Sequence, residues 1–124
     1  MHTLDTNAII YFLKGDKNAV FVLEKILKEN CGPIYVSSIT ELELLSYPNI
    51  SGQEENDLEE ILATLVAVPL DSRLARIAAW LKRRYRIKIA DSVIAATAMF
   101  TKTALVTRNI KDFDKIAGLD IIKA

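Results

Sequence analysis

Residues 1–10 read MHTLDTNAII. Leu4 is followed at once by Asp5, Thr6 and Asn7, and the apolar pattern resumes at Ala8, Ile9 and Ile10. A short buried strand over 1–5, then a helix over 7–14 stopped by Gly15, accounts for the change of pattern. An acid and an amide between two buried segments need either a capping role or a chemical one. Asp5 can serve as the N-cap of the following helix. Thr6 can do the same and leave Asp5 free.

Further along, the same alternation repeats. Residues 18–30 carry apolar side chains at 19, 20, 22, 23, 26 and 27, a helical period, and Gly32-Pro33 breaks it. A short strand is expected over 34–36. Ser38 with Glu41 has the form of a capping box opening the next helix, which Tyr47-Pro48 ends. On that helix Ile39, Leu42 and Leu45 form the apolar stripe, flanked by both Glu41 and Glu43. Ser51 with Glu54 repeats the capping pattern, and a helix is expected from there to about residue 67. A strand over 68–70, a helix capped by Asp71 and running to Tyr85, and a helix starting at Asp91 follow. A strand over 104–106, one or two turns over 110–117 and a last strand over 120–122 complete the chain. No internal repeat, linker or low-complexity segment interrupts it.

Short, continuous apolar strands alternating with helices predict an α/β fold with a parallel sheet covered on both faces. Sites in such sheets lie beyond the carboxyl ends of the strands. Asp5, Ser37, and Thr107 with Asn109 fall at three such ends. At 124 residues and 51% hydrophobic content the chain is expected to be one domain, large enough to fold without a disulfide or metal.

Composition removes several functions. The 16 basic and 16 acidic residues balance, so any attraction to nucleic acid must come from local patches. The one cysteine, Cys31, cannot make an internal disulfide or a cysteine zinc site, and reads as a thiol in a reducing cytoplasm. No leader is visible, and no apolar run approaches the roughly 20 residues that cross a bilayer, so a soluble, cytoplasmic protein is expected. There is no Walker phosphate loop, no G-x-G-x-x-G fingerprint and no G-x-S-x-G elbow. With His2 as the sole imidazole, no Ser-His-Asp triad is possible. Carboxylates remain, and clustered carboxylates suit magnesium or manganese.

Most of the acids have a competing structural role. Asp91, in KIADSVIAATA, can be a helix N-cap favoured by the dipole. Glu41 has a job in the capping box with Ser38, whereas Glu43 has none, which favours Glu43 for function. Asn109 can cap the turn that follows it, with Asp112 at the third position of that turn, and Asp114 reads as solvated. The run Lys82 to Lys88 carries five positive charges. It reads as a dipole-favoured helix end, or as a contact for an RNA backbone or an acidic partner. The acidic stretch 54–60 reads as a solvated face.

Taken together, LDTN at 4–7, SSITELELL at 37–45, DSVIAATA at 91–98 and TRNIKDF at 107–113 resemble the PIN-domain ribonucleases, most closely the small VapC-type toxins of toxin–antitoxin pairs. Each motif alone is weak, but the four occur in the family's order across essentially the whole chain. The resemblance implies a single three-layer α/β/α domain over 1–124, with a central, mostly parallel sheet of four to five short strands. It implies a magnesium- or manganese-dependent endoribonuclease. Asp5, Glu43, Asp91 and Asp112 match the catalytic, metal-binding acids, and Asn7, Thr107 and Asn109 the polar residues that support them. An RNA substrate, an antitoxin partner and a homodimer are implied as well. The family often has Gly shortly after the helix Glu, where this chain has LLSYP. LDTNAI also faintly resembles the nucleophile motif of haloacid-dehalogenase phosphatases, but Asn7 replaces the second acid and no later G-D-x-x-x-D exists. A PIN fold acting only as an interaction or RNA-binding scaffold is the non-enzymatic alternative, though such members should have lost acids.

Overall fold

The computed structural model describes residues 1–29 and 32–124. The expectations for Asn30 and Cys31 lie outside the described residues. Five short strands form one sheet in the order β3-β2-β1-β4-β5, every neighbouring pair parallel. They are β1 (His2–Leu4), β2 (Ile34–Ser37), β3 (Val66–Val68), β4 (Ala104–Thr107) and β5 (Ile121–Lys123). Helices α1 (Thr6–Leu13) and α2 (Lys17–Glu29) connect β1 to β2, and α3 (Ser38–Leu45) and α4 (Gly52–Ala63) connect β2 to β3. Then α5 (Ser72–Tyr85) and α6 (Ile89–Thr101) carry the chain across to β4, and α7 (Ile110–Phe113) precedes β5.

Two cores lie on opposite faces of the sheet, giving the three α/β/α layers. Leu105 faces a core with Leu74, Leu81, Ile94 and Phe113. Its neighbour Val106, with Leu4 and Val36, faces Ile9, Leu23 and Leu44. Adjacent residues of β4 are both fully buried because successive side chains point to opposite covered faces. That is why the strands read as continuous apolar runs. Helix α6 is buried almost all round from Ser92 to Ala98 and packs across β1, β2 and β4. Its alanines Ala95, Ala96 and Ala98 allow the close approach.

Strand order reverses at β1, which pairs with β2 on one side and β4 on the other. This is the topological switch point, where doubly wound folds open a crevice. The register holds the two central strands level there, with Leu4 opposite Val106. The Asp5 amide continues the ladder by donating to the Val106 carbonyl at 3.0 Å.

Several local expectations are corrected. The third strand is Val66–Val68 rather than 68–70, and the helix before it ends at Ala63 rather than 67. Ser51 and Glu54 do form their capping box, and Asp71 does cap α5 through the Leu74 amide. Ser38 and Glu41 do not form one: Ser37 is the N-cap, accepting from the Ile39 amide. Ser38 instead accepts from the Leu70 amide, tying α3 to the segment after β3. On α3 the buried residues are Thr40 and Leu44, and of the expected stripe only Ile39 packs against a core, while Leu42 and Leu45 are exposed.

Candidate active site

Asp5 stands directly after β1, at the N-cap position of α1, yet its side chain makes no capping bond. Its carboxylate Oδ2 instead accepts from Thr107 Oγ1 at 2.7 Å. Thr107 ends β4, the next strand over, and its hydroxyl also accepts from the Asn109 amide at 3.0 Å. Thr107 therefore joins the strand end to the following loop and fixes Asp5 against both. Asn109 does not cap α7 with its side chain; it acts here through its backbone.

Glu43 reaches the same place from α3. Thr6 Oγ1 is a donor to Glu43 Oε1 at 2.6 Å, a bond it shares with Thr40 Oγ1 at 3.0 Å. Thr40 and Glu43, three residues apart on one helix, lie on the same face. Thr6 and Thr40 thus position a site acid, a role the sequence reading did not assign to either. The spacing T-x-x-E in SSITELE was the available signal.

Asp91 is the third residue of α6, whose N-cap is Lys88, so it is not the expected cap. Its carboxylate is free to face the cavity at the switch point. This cavity, of about 380 Å³, is lined by Asp5, Asn7, Glu43 and Asp91 with Ser46, Tyr47 and Ile94 among others. Glu41 does not line it. Asp112 lies in α7, exposed, outside the lining but near enough to act electrostatically on Asp91.

The electrostatics follow from the crowding. Burial pushes the Asp5 carboxyl up from 3.8 to about 6; hydrogen bonds from the Thr107 hydroxyl and the Thr6 backbone amide oppose this, and the charges of Asp91 and Glu43 add to it. Asp5 is only 2% exposed, so desolvation dominates. Asp91 is also raised, by burial first, then by Asp112 and Glu43, while Lys88 pulls it down. Displaced carboxylates of this kind gather where chemistry is done.

Oxygen donors from Asp5, Glu43 and Asp91 are suited to a hard divalent cation. Among the described residues no three acid side chains close into a ready-made ligand cage. The acids line an open cavity instead, with space for water. That suits magnesium, which keeps several waters and takes only one or two carboxylates.

Fold and site together define a doubly wound domain with a carboxylate-lined cavity at its switch point. The chain belongs to the PIN domain family, which residues 3–119 match. It is 30% identical over 124 residues to Ribonuclease VapC19 of Mycobacterium tuberculosis, spanning 96% of this chain and 97% of that one. Among solved structures it resembles VapBC2 from Rickettsia felis bound to a DNA fragment from its promoter, with TM-score 0.84 and 26% identity over 99% of this chain and 98% of that one. It also resembles a toxin–antitoxin complex from Klebsiella pneumoniae, with TM-score 0.81 and 27% identity over 98% and 96%. No helix of the described residues is long and apolar enough to cross a membrane.

Proposed function

We propose that this chain is the metal-dependent endoribonuclease of a toxin–antitoxin pair. The observation that carries the reading is the gathering of Asp5, Glu43 and Asp91, from three distant segments, around one cavity at the switch point. Asp5, Asp91 and Glu43 would hold magnesium or manganese, with Asp112 at the outer edge. When bound, the cation supplies Lewis-acid chemistry, activating water and stabilising the charge on a phosphodiester. Such hydrolysis does not use the RNA 2′-hydroxyl as nucleophile and calls for no histidine.

The chain's own residues set the geometry. Thr107 holds Asp5, and Thr6 holds Glu43, so both carboxylates are oriented before any ligand arrives. Asn7 lines the cavity with an amide that can donate to a phosphate oxygen or orient water. Asn109 steadies Thr107. Lys88, whose charge reaches Asp91, offers a positive group at the rim toward a phosphate.

Two surfaces support the partners. An apolar cavity of about 470 Å³ shares Ile10, Tyr47 and Pro48 with the acid cavity and continues to Leu13, Leu44 and Leu58. It is suited to seat an apolar antitoxin segment beside the acids. The exposed Leu42 and Leu45 of α3 favour burial against a second copy, as in a homodimer.

The test is cleavage of structured RNA such as tRNA with magnesium, with manganese and with EDTA, comparing wild type with Asp91→Ala. Metal-dependent cleavage by the wild type alone is expected. Equal inactivity of both proteins in metal refutes the enzymatic reading in favour of a scaffold.

A further inference from the structure

The densest run of positive charge in the chain lies outside the lining of the acid cavity. From residue 72 through 90 there are seven basic residues and no acidic one, in a chain whose total charge is zero. Most of that stretch is α5. Its buried side is Leu74, Ala78 and Leu81. Arg73, Arg76, Trp80, Arg83 and Arg84 follow one another at steps of three, four, three and one, so they share the opposite face, and all five are exposed. At 1.5 Å per residue, Arg76 and Arg84 lie about 12 Å apart along the helix, with Trp80 midway.

Trp80 is the only tryptophan and is 48% exposed. It is held rather than loose. The Arg84 guanidinium lies 5.7 Å from its ring centroid, and Tyr85 meets it edge-on at 6.4 Å. The Tyr85 hydroxyl in turn accepts from the Ala117 amide at 3.2 Å, just beyond α7. Among the described residues, Arg76, Arg83 and Arg84 have no acidic partner; the ion pairs are Arg73 with Asp71 and Arg108 with Asp16.

The C-terminal end of α5 is joined by a short turn to the helix that carries Asp91. Arg86 ends α5 in the left-handed region at φ 55°, turning the chain sharply so that α6 packs back along α5. Two residues later Lys88 caps α6, and Asp91 is in the first turn of that helix. The end of α5 that carries Arg83 and Arg84 is thus only a few residues from Lys88, whose charge acts on Asp91.

We propose that this face of α5 binds an unpaired segment of the RNA substrate, its phosphates on Arg76, Arg83 and Arg84 and one base stacked on Trp80. Positive groups tracking a backbone beside an aromatic ring are the two components of single-strand recognition, and stacking tolerates any base. Phosphate contacts alone would need no exposed indole. The proposal rests on the ribonuclease reading for its substrate, and binding is measured apart from cleavage.

The sole tryptophan reports its own occupancy. A short unpaired oligoribonucleotide, titrated in EDTA so that it is not cleaved, should quench Trp80 emission saturably. Arg83→Ala with Arg84→Ala should weaken binding about tenfold and reduce the steepness of its salt dependence by roughly 1.4 in log–log slope, as for two lost phosphates on a single strand. Trp80→Ala, followed by anisotropy of a labelled oligonucleotide, should weaken binding roughly tenfold, and Trp80→Phe should restore most of it. With metal, the same variants should raise KM for a long RNA and leave kcat in place. Unchanged Trp80 emission on RNA binding, or equal affinity and salt slope in the double arginine variant, overturns the proposal. So does quenching by a polyglutamate peptide or by rising protein concentration without quenching by RNA; either assigns the face to a protein. Absence of cleavage in metal, with the quench and the variant effects intact, would sink the catalytic reading and leave the RNA-binding face standing.

Discussion

Replacing Asp5 by Asn should make the metal-free protein more stable while abolishing its activity. Asp5 is buried, and its carboxyl is raised from 3.8 to about 6 by burial and by the neighbouring charges of Asp91 and Glu43. A shift of roughly two units corresponds to about 3 kcal/mol of destabilisation when the group is ionised. The folded state binds the proton more tightly than the unfolded state, so stability falls as pH rises through the window from about 4 to 6. Asn keeps the shape and still accepts from Thr107, but carries no charge. At pH 7 Asp5→Asn should therefore be more stable than wild type by about 3 kcal/mol, or roughly 10 °C in Tm for a domain of this size. At pH 5 the gap should shrink to about half, since the wild-type carboxyl is by then largely protonated when folded. Urea unfolding in EDTA at the two pH values measures both. A variant no more stable than wild type at pH 7, or one whose advantage does not change with pH, would refute the desolvated-carboxylate account.

Manganese should raise the Tm of the wild type through preferential binding to the folded state, by an amount growing with the logarithm of its concentration, and Asp5→Asn should lose that rise; a wild type insensitive to manganese would remove the metal reading. Glu43→Gln should lose RNA cleavage and Glu41→Gln should retain it, because only Glu43 lines the acid cavity; the reverse order in a cleavage assay would reassign the site. Ala96→Val, in the fully buried face of α6, should cost about 1–3 kcal/mol by overpacking against the sheet, read as a lower urea midpoint at unchanged slope. Ser51→Ala should lower stability by about 1 kcal/mol by opening the capping box with Glu54, with cleavage unaffected.

The centre of the sheet was legible where a strand is covered on both sides: Leu105 and Val106 of β4 are each fully buried, so the strand reads as an apolar run, whereas edge strand β3 is largely exposed and was misplaced by two residues. Helix ends that close on their own sequence were legible too, as with Ser51–Glu54 and Asp71. What failed was decided by tertiary partners. Ser38 fits a local box, but the Leu70 amide, 32 residues away, takes its hydroxyl. Leu42 and Leu45 read as core on a helical wheel, yet α3 turns Thr40 and Leu44 inward because Thr40 must meet Thr6. Glu43 was favoured over Glu41 by a capping rule that does not operate here, and by the resemblance, which points to the same residue. The feature that holds it in the cavity is the hydroxyl of Thr6, which lies on another element; the local T-x-x-E spacing shows only that Thr40 and Glu43 share a face.

These hydroxyls also rank the acids by how firmly they are held. Asp5 and Glu43 each accept from a threonine on another element, Thr107 and Thr6. Asp91 is held by its place near the start of a tightly packed helix, and exposed Asp112 by less. Two fixed carboxylates and two more adaptable ones could let a cation and a phosphate settle without the whole site being locked beforehand. The fixed pair sits where β1, β4 and α3 meet, so Thr107→Val should disturb the geometry of Asp5 without removing any charge. It deletes the hydrogen bond that holds Asp5 down and should push its carboxyl above about 6. In EDTA, stability should then fall over a window reaching to higher pH than in the wild type, with Thr107→Ser restoring the original pH profile. An unshifted profile would mean that Thr107 only packs.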